Sequence, residues 1–285
     1  MKNIIKIMFG VLFLAALPAF AAQDFLKYDI GSYKFYAMIN NTGAISDVLI
    51  GNKDKITFDK YKAAGWNANA INYFLLDTGT QKILFDTGLP LARGGKVLER
   101  LEAIGVKPQD ISIICLTHMH MDHIGGMLDD EGKKVFPNAK VFLSKEEAEY
   151  WNNPNNDSSS FKSAKKVLEV YGESIIKFPQ KQKITDGVTS VPLFGHTPGH
   201  TGFIIENKGK KLVILGDVIH ANIQFVNPDI YLTYDVDPKT AMKTRKLVLK
   251  KAAAEGVDIT GMHIAPPSVG KIKKTGKGYL FERHI

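Results

Sequence analysis

The chain has 285 residues, of which 45% are hydrophobic and 23% are charged, a composition typical of a globular protein with a large core. The formal net charge is +8, but apart from residues 271–277 no run of lysine or arginine stands out. This argues against a basic groove, so we expect a solvated basic surface and no nucleic-acid partner. Cys115 is the only cysteine, which excludes an internal disulfide, and its apolar neighbours predict a buried thiol.

The first 21 residues have the pattern of a secretory signal peptide. Lys2 and Lys6 form a basic start, residues 7–17 form an apolar core too short to span a membrane, and residues 19–21 are a typical Ala-Phe-Ala cleavage site. We therefore predict cleavage after Ala21 and a periplasmic or secreted protein without a membrane anchor. Removal of the two lysines lowers the formal net charge to +6, and we expect residues 22–285 to form a single domain.

The first half of the mature chain has a β-rich pattern. Alternating apolar residues predict two antiparallel strands within residues 33–51, joined by a turn at residues 40–43. The elements predicted next are a loop at residues 52–69, a hairpin at residues 71–76 and 82–88, a helix at residues 96–104 and a buried strand at residues 111–116.

The second half repeats part of this design. Its predicted elements are strands at residues 141–143 and 191–194, helices at residues 144–151, 161–171 and 237–255, and hairpins at residues 202–217 and 271–281. Ser144 and Glu147 form a capping-box pattern. Residues 152–160 predict a loop that is either a pocket lid or an idle surface loop. The hairpins that end in Asp86 and Asp217 indicate an internal duplication.

Residues 117–126 contain the densest group of candidate metal ligands. His118 and His120 are two apart in an extended stretch, so their side chains project to the same side and can reach one ion. Asp122 and His123 follow where the chain turns and can serve a second ion. Imidazole and carboxylate suit zinc first, with iron, manganese or cobalt as alternatives. The sequence therefore predicts a site for divalent metal ions.

The pattern His-x-His-x-Asp-His resembles that of the metallo-β-lactamase-fold hydrolase superfamily. This resemblance implies an α/β fold, a four-layer αββα sandwich with an internal pseudo-twofold, and metal ions between the strand ends. It also assigns roles to residues later in the chain. The implied ligands are His118, His120 and His196 for one ion, Asp122, His123 and His263 for the other, and Asp217 for both.

The same resemblance extends beyond the ligands. Asp86 resembles the acid that accepts the second N–H of a ligand imidazole, with capping of its own turn with Thr87 as the alternative, and His200 is expected to be structural.

Around Asp217 the sequence is similar to an exported branch that contains methyl parathion hydrolase and secreted N-acylhomoserine lactonases. This similarity implies Trp151 and Phe225 as pocket aromatics, with a core position as the alternative for each. It also implies a homodimer.

The implied activity is hydrolysis by a hydroxide that bridges two divalent ions, with Zn²⁺ as the first expectation. We expect attack on a lactone or ester carbonyl, as in N-acylhomoserine lactones, with Asp122 or Asp217 passing a proton to the leaving alkoxide. The alternatives are phosphotriester hydrolysis, glyoxalase II-like thioester cleavage, a mono-iron oxidoreductase of the same fold and a non-catalytic metal-binding protein. A zinc β-lactamase is disfavoured, because those enzymes generally lack the bridging aspartate.

Overall fold

Two seven-stranded β-sheets lie at the centre of the computed structural model, which describes residues 25–52, 57–156, 158–179 and 181–284. The first sheet has the order β1 (Phe25–Ile30), β2 (Tyr33–Ala44), β3 (Ala68–Asp77), β4 (Lys82–Phe85), β5 (Ile113–Cys115), β6 (Lys140–Ser144) and β7 (Ile175–Phe178). The second sheet has the order β14 (Gly278–Arg283), β13 (Gly270–Thr275), β12 (Asp258–Thr260), β11 (Lys210–Ile214), β10 (Thr201–Asn207), β9 (Val188–Pro192) and β8 (Lys183–Thr185). The predicted signal peptide lies outside the described residues.

Helices connect and cover these sheets. Over the described residues the α-helices are α1 (Phe58–Ala63), α2 (Val97–Ala103), α3 (Met121–Ile124), α4 (Lys145–Trp151), α5 (Ser159–Tyr171), α6 (Ile223–Val226) and α7 (Pro238–Glu255). None of the helices in these ranges is both long enough and apolar enough to cross a membrane.

The two sheets repeat one arrangement near their centres. In each, an antiparallel hairpin is followed by a parallel pair, β4 with β5 in the first sheet and β11 with β12 in the second. Asp86 follows β4 and Asp217 follows β11, while the histidine motif follows β5 and His263 follows β12. Equivalent places in the two halves therefore supply equivalent side chains to one region, as an internal duplication predicts.

Alternation along β3 shows how the layers are built. Tyr73 and Leu75 lie in a core with α2, α4 and α5, whereas Phe74 and Leu76 lie in a second core that contains Phe203 of the other sheet. Residues of α7 form a third core against β12 and β13. The order of layers is thus helix, sheet, sheet, helix, because each strand buries its two faces against different partners. The αββα prediction is confirmed.

Two predictions on the first half are wrong. The turn at residues 40–43 is absent, since β2 continues through it with a register shift between Ile39 and Asn41. Asn40 is buried there, and its amide donates to Gly94 O (3.1 Å) and accepts from Lys96 N–H (3.1 Å). A residue type typical of turns therefore marks an irregularity within one strand.

The predicted loop at residues 52–69 contains α1 and the start of β3. Phe58, Tyr61 and Trp66 pack there against a small core that includes Ile50 and Leu232. These aromatic side chains give the segment an apolar side, which its otherwise polar composition conceals.

Candidate metal centre

Loops at the ends of four strands carry the seven predicted ligands. The chain after β5 is extended to His120, and α3 then turns Asp122 and His123 back towards the same place. His196 follows β9, Asp217 follows β11 in a 3₁₀ turn, and His263 follows β12. The structure brings all seven side chains together in two adjoining clusters.

The first cluster consists of His118, His120, His196 and Asp217, with one candidate ligand atom of each within 4.8 Å of the others. His120 Nδ1 lies 2.9 Å from His118 Nε2 and 2.9 Å from His196 Nε2. Asp217 Oδ2 lies 3.6 Å from His118 Nε2 and 3.4 Å from His196 Nε2. Three imidazole nitrogens and a carboxylate oxygen therefore face a common point.

The second cluster consists of Asp122, His123 and His263. Asp122 Oδ2 lies 3.7 Å from His123 Nε2 and 3.4 Å from His263 Nε2. Asp217 joins this cluster as well, with Oδ1 at 3.3 Å from His123 Nε2 and Oδ2 at 3.1 Å from His263 Nε2. Asp217 is therefore shared between the clusters, in the place expected for a bridging carboxylate.

Asp86 holds the outer side of the second cluster. Its Oδ2 accepts hydrogen bonds from His123 Nδ1–H (2.7 Å) and from the Thr117 hydroxyl (2.7 Å), and its Oδ1 accepts from Thr117 N–H (2.8 Å). Thr87 does not take part in this network, because its hydroxyl donates to His123 O. Asp86 thus fixes the tautomer of His123 with Nε2 directed at the cluster.

Three other imidazoles are oriented in the same manner, by a hydrogen bond from Nδ1–H to an oxygen. His196 Nδ1–H donates to Asp235 Oδ1 (2.9 Å), and His263 Nδ1–H donates to Ala70 O (2.7 Å). His200 Nδ1–H donates to Leu193 O, and its Nε2 accepts from Asp217 N–H. Both nitrogens of His200 are therefore engaged in positioning the loops, as expected for a structural histidine.

Burial controls the charge of the first cluster. Loss of hydration lowers the pKa of His118 well below its usual value, that of His120 to about 3 and that of His196 to about 4. These side chains are therefore neutral at physiological pH. Neutral imidazole is the form that binds metal ions.

The carboxylates control the charge of the second cluster. Burial would lower the pKa of His123 and His263, but Asp217 and Asp122, joined by Asp86 for His123, together outweigh it, so the pKa of His123 is raised well above its usual value and that of His263 to about 9. Burial likewise would raise the pKa of Asp217, but His123 and His263 hold it well below its usual range. The buried carboxylates thus stabilise positive charge at this place, and a divalent cation would supply that charge in place of protons on the histidines.

The donor set fits divalent metal ions. A tetrahedral zinc ion with bonds of about 2.0–2.1 Å places its ligand atoms roughly 3.3 Å apart, and the separations in the two clusters are 2.9–3.7 Å. His123 Nε2 and Asp217 Oδ1 are buried without a hydrogen-bond partner in the described part of the chain. Such orphaned polar atoms are costly unless another group binds them.

The sequence model of the metallo-beta-lactamase superfamily matches residues 66–259, more than half of the chain. The chain belongs to this superfamily. The resemblance that rests on residues 118–123 is thereby confirmed.

Three known proteins resemble the chain to different extents. An N-acyl homoserine lactonase from Bacillus cereus is 29% identical over 171 residues, which cover 50% of this chain but only 60% of that relative. The crystal structure of AbOPH, a hydrolase of the beta lactamase superfamily, is 27% identical with a TM-score of 0.83 over 92% of this chain and 98% of that one. AidC, a dizinc quorum-quenching lactonase in complex with the product N-hexanoyl-L-homoserine, is 26% identical with a TM-score of 0.82 over 92% and 97%.

A cavity of about 410 Å³ opens above the two clusters. Asp122, Asp217 and His263 lie at its base, and its apolar walls are formed by Ile45, Leu49, Ile71 and Leu232. A larger cleft of about 630 Å³ lies elsewhere, around Lys27 and Lys210, and no clustered residue lines it. The cavity above the clusters is therefore the candidate substrate site.

The predicted pocket aromatics do not line this cavity. Phe225 is fully buried in the third core, where it stacks on Phe281 with ring centroids 5.1 Å apart. Trp151 is also buried, and its ring meets that of His120 edge-on at 5.2 Å from outside the cavity. Phe225 thus occupies the core position given as its alternative, and Trp151 lies buried behind His120. Ser160, the last residue of the loop predicted at residues 152–160, lies in α5 and lines the cavity.

Two residues of the site have no motif that marks them. His220 lines the cavity and stacks on His263 at 5.3 Å. Its Nε2 lies 3.2 Å from Asp217 Oδ2, close enough to join Asp217 and His263 as a candidate ligand, and its Nδ1 has no hydrogen-bond partner among the described residues. Asp235 accepts from His196, as described above. Both residues lie in segments, 216–220 and 235–238, that are similar to the exported branch, but that similarity assigned them no role. Asp235 lies 39 residues from its partner His196, so no local spacing links the two.

Proposed function

We propose that the protein is a dinuclear metal-dependent hydrolase that opens lactones or cleaves related esters, with N-acylhomoserine lactones as the substrate class. One observation carries the proposal: two ligand clusters that share Asp217 lie at the base of a cavity with largely apolar walls. A site built in this way can bind an acyl chain and present its carbonyl to the clusters. Membership of the superfamily and the likeness to a dizinc lactonase support the same activity.

Two divalent ions, when bound, supply a hydroxide nucleophile near neutral pH and polarise the carbonyl under attack. The imidazoles of His118, His120 and His196 would hold one ion, and Asp122, His123 and His263 the other, with Asp217 between them. Zinc suits these ligands first. Asp86, Asp235 and Ala70 O keep the second ring nitrogen of their histidines occupied, so the ligand atoms are oriented before an ion arrives.

In this proposal Asp122 accepts the proton of the attacking hydroxide and passes it to the alkoxide that leaves, so that the products are a carboxylate and an alcohol. The side chain of Asp122 is 28% exposed, whereas that of Asp217 is 3% exposed, and Asp122 lines the cavity. His220 is the second polar group available to substrate. Its Nε2 lies 3.2 Å from Asp217 Oδ2, while its Nδ1 has no hydrogen-bond partner among the described residues and can donate an N–H to an oxygen in the cavity. Asp217 is then left to hold the two clusters together.

The walls of the cavity support an acyl substrate. Ile45, Leu49, Ile71 and Leu232 provide apolar surface, while Asn69 and Ser160 provide polar groups that an amide can reach. The volume of about 410 Å³ falls within the range of about 300–1,000 Å³ of small-molecule sites. The signal-peptide pattern at residues 1–21 supports a periplasmic or secreted location, where diffusible acylated lactones would be accessible.

A substrate panel tests the proposal. Zinc-loaded protein is assayed with N-hexanoyl-L-homoserine lactone, an aryl ester, a phosphotriester of the paraoxon type and a glutathione thioester. We expect kcat/KM above about 10⁴ M⁻¹ s⁻¹ for the lactone, and lower values for the others. A higher value for the phosphotriester or the thioester would contradict the lactone assignment. No turnover with zinc, manganese or cobalt would contradict the hydrolase assignment.

A further inference from the structure

Among the described residues, three buried carboxylates lie outside the two ligand clusters, those of Asp86, Asp235 and Glu147, and of these only Glu147 makes no hydrogen bond to a histidine ring. Glu147 is in the first turn of α4 and is 0% exposed. Its sequence position after Ser144 predicts a local capping box. The structure confirms only half of this motif, since Ser144 Oγ accepts from Glu147 N–H (3.1 Å) while the Glu147 carboxylate accepts from other residues.

The Glu147 carboxylate accepts four hydrogen bonds. Oε1 accepts from Met119 N–H at 3.1 Å and from the Trp151 indole N–H at 2.5 Å. Oε2 accepts from the Thr197 hydroxyl at 2.7 Å and from Gly199 N–H at 3.1 Å. All of these partners are donors, so the surroundings are arranged for a carboxylate and not for a neutral acid.

Three of these donors lie beside histidines of the first cluster. Met119 lies between His118 and His120, and Thr197 is the residue after His196. The Trp151 ring packs against that of His120. Glu147 therefore connects two loops, one from each half of the chain, that must be in register for three imidazole nitrogens to meet.

The close approach of the second loop supports this arrangement. A Cβ on Gly199 would lie 2.1 Å from Glu147 N and 2.5 Å from Ser144 Oγ, so only glycine fits there. Ser144 Oγ also donates to Gly199 O at 2.8 Å. Burial raises the pKa of Glu147 to about 7, although the hydrogen bonds of Thr197 and Trp151 act in the opposite direction.

We propose that Glu147 is a positioning residue that sets the spacing of His118 and His120 relative to His196, and thereby the affinity of the first cluster for its ion. The carboxylate belongs to neither ligand cluster and does not line the cavity. It acts through the backbone of Met119 and Gly199 and through two side chains. This inference depends on the proposed function only in that the first cluster binds a metal ion.

The test compares Glu147→Gln with Glu149→Gln. Glutamine keeps the size of the side chain, but its NH₂ group must face either Met119 N–H and the Trp151 indole N–H or the Thr197 hydroxyl and Gly199 N–H, so one side of the network is lost. Glu149 lies on the same helix, is exposed and pairs with Lys145 across 3.7 Å, which makes it a matched control for the change of charge. Metal-free proteins are titrated with zinc against a chromogenic chelator, and with cobalt while the visible spectrum is recorded.

We expect Glu147→Gln to weaken binding of one of two ions by about 10–100-fold, the usual effect of removing an outer contact of a metal site. The cobalt spectrum of that site should change, and Glu149→Gln should match the wild-type protein. Unchanged affinity for both ions together with a lowered melting temperature would show a purely structural brace and overturn the inference.

A second variant keeps the test decisive where Glu147→Gln does not fold. Thr197→Val removes one donor to Oε2 and leaves the other three. Thr197→Val should weaken binding of the same ion by a smaller factor. An affinity equal to that of the wild type would overturn the inference. A wild-type protein that binds no ion would instead overturn the proposed function, so the two failures are distinguishable.

Discussion

Replacement of Asp86 by asparagine tests the charge of this side chain without changing the backbone conformation that the position requires. Asp86 has a positive φ of 58°, a conformation that asparagine adopts about as readily as aspartate. The substitution therefore preserves size and backbone preference. It removes the negative charge and one of the acceptor oxygens that face Thr117 and His123.

The expected loss of folding free energy follows from the three hydrogen bonds to the Asp86 carboxylate. If the new amide oxygen of the Asp86→Asn variant takes the position of Oδ2, its NH₂ group opposes Thr117 N–H, and in the other orientation the NH₂ group opposes His123 Nδ1–H. At least one bond to a charged acceptor is lost, worth about 1.5–3 kcal/mol of folding free energy. The affinity of the second cluster for its ion should fall about 10–100-fold.

The assay is chelator competition with zinc on metal-free protein, together with urea unfolding. Asp77→Asn is the matched control, because Asp77 lies in the same β3–β4 hairpin, makes a turn contact to Gly79 N–H and pairs with Lys82 at 3.7 Å. Asp86→Asn should weaken binding of the ion at the second cluster, whereas Glu147→Gln should weaken binding of the ion at the first. If Asp86→Asn binds both ions within about twofold of the wild type, the reasoning that outer carboxylates orient these ligands is refuted.

Three further predictions concern the cavity and the charge of the site. His220→Ala should lower kcat/KM for the lactone by about 10-fold, the value of roughly one hydrogen bond, with zinc content unchanged; wild-type kcat/KM would contradict a role in substrate binding. Leu232→Trp narrows the cavity at its apolar wall, so kcat/KM should fall more for the N-decanoyl lactone than for the N-butanoyl lactone. Equal decreases would contradict an acyl site there. In metal-free protein the raised pKa values of His123 and His263 mean that the folded state keeps protons which the unfolded state releases above about pH 6.5, so urea stability should fall from about pH 7 to about pH 9. A stability that rises over this range would contradict the assigned charges.

The seven ligands could be found from the sequence for two different reasons. His118, His120, Asp122 and His123 are close together in the chain, so periodicity alone brings them to one place. His196, Asp217 and His263 are far apart, and only the resemblance to a family assigned them. The four-layer fold was likewise implied by the resemblance, whereas the repeated hairpins by themselves indicated only an internal duplication.

The other features could not be derived from local patterns. Glu147 matches a capping box, yet its carboxylate is used by loops 28 and 50 residues away. Asp235 is recognisable only through the Nδ1 atom of His196. Phe225 lies in the core because Phe281 of the last strand packs against it, and the sequence around Phe225 does not predict that contact. In each case a distant segment supplies the partner that decides the role.

Titration of metal-free protein with zinc, while hydrolysis of N-hexanoyl-L-homoserine lactone is recorded, tests the central claim most directly. Two clusters that share Asp217 predict that activity is absent without zinc and reaches its maximum at about two equivalents. Full activity in metal-free protein, or no hydrolysis at any zinc concentration, would contradict the account.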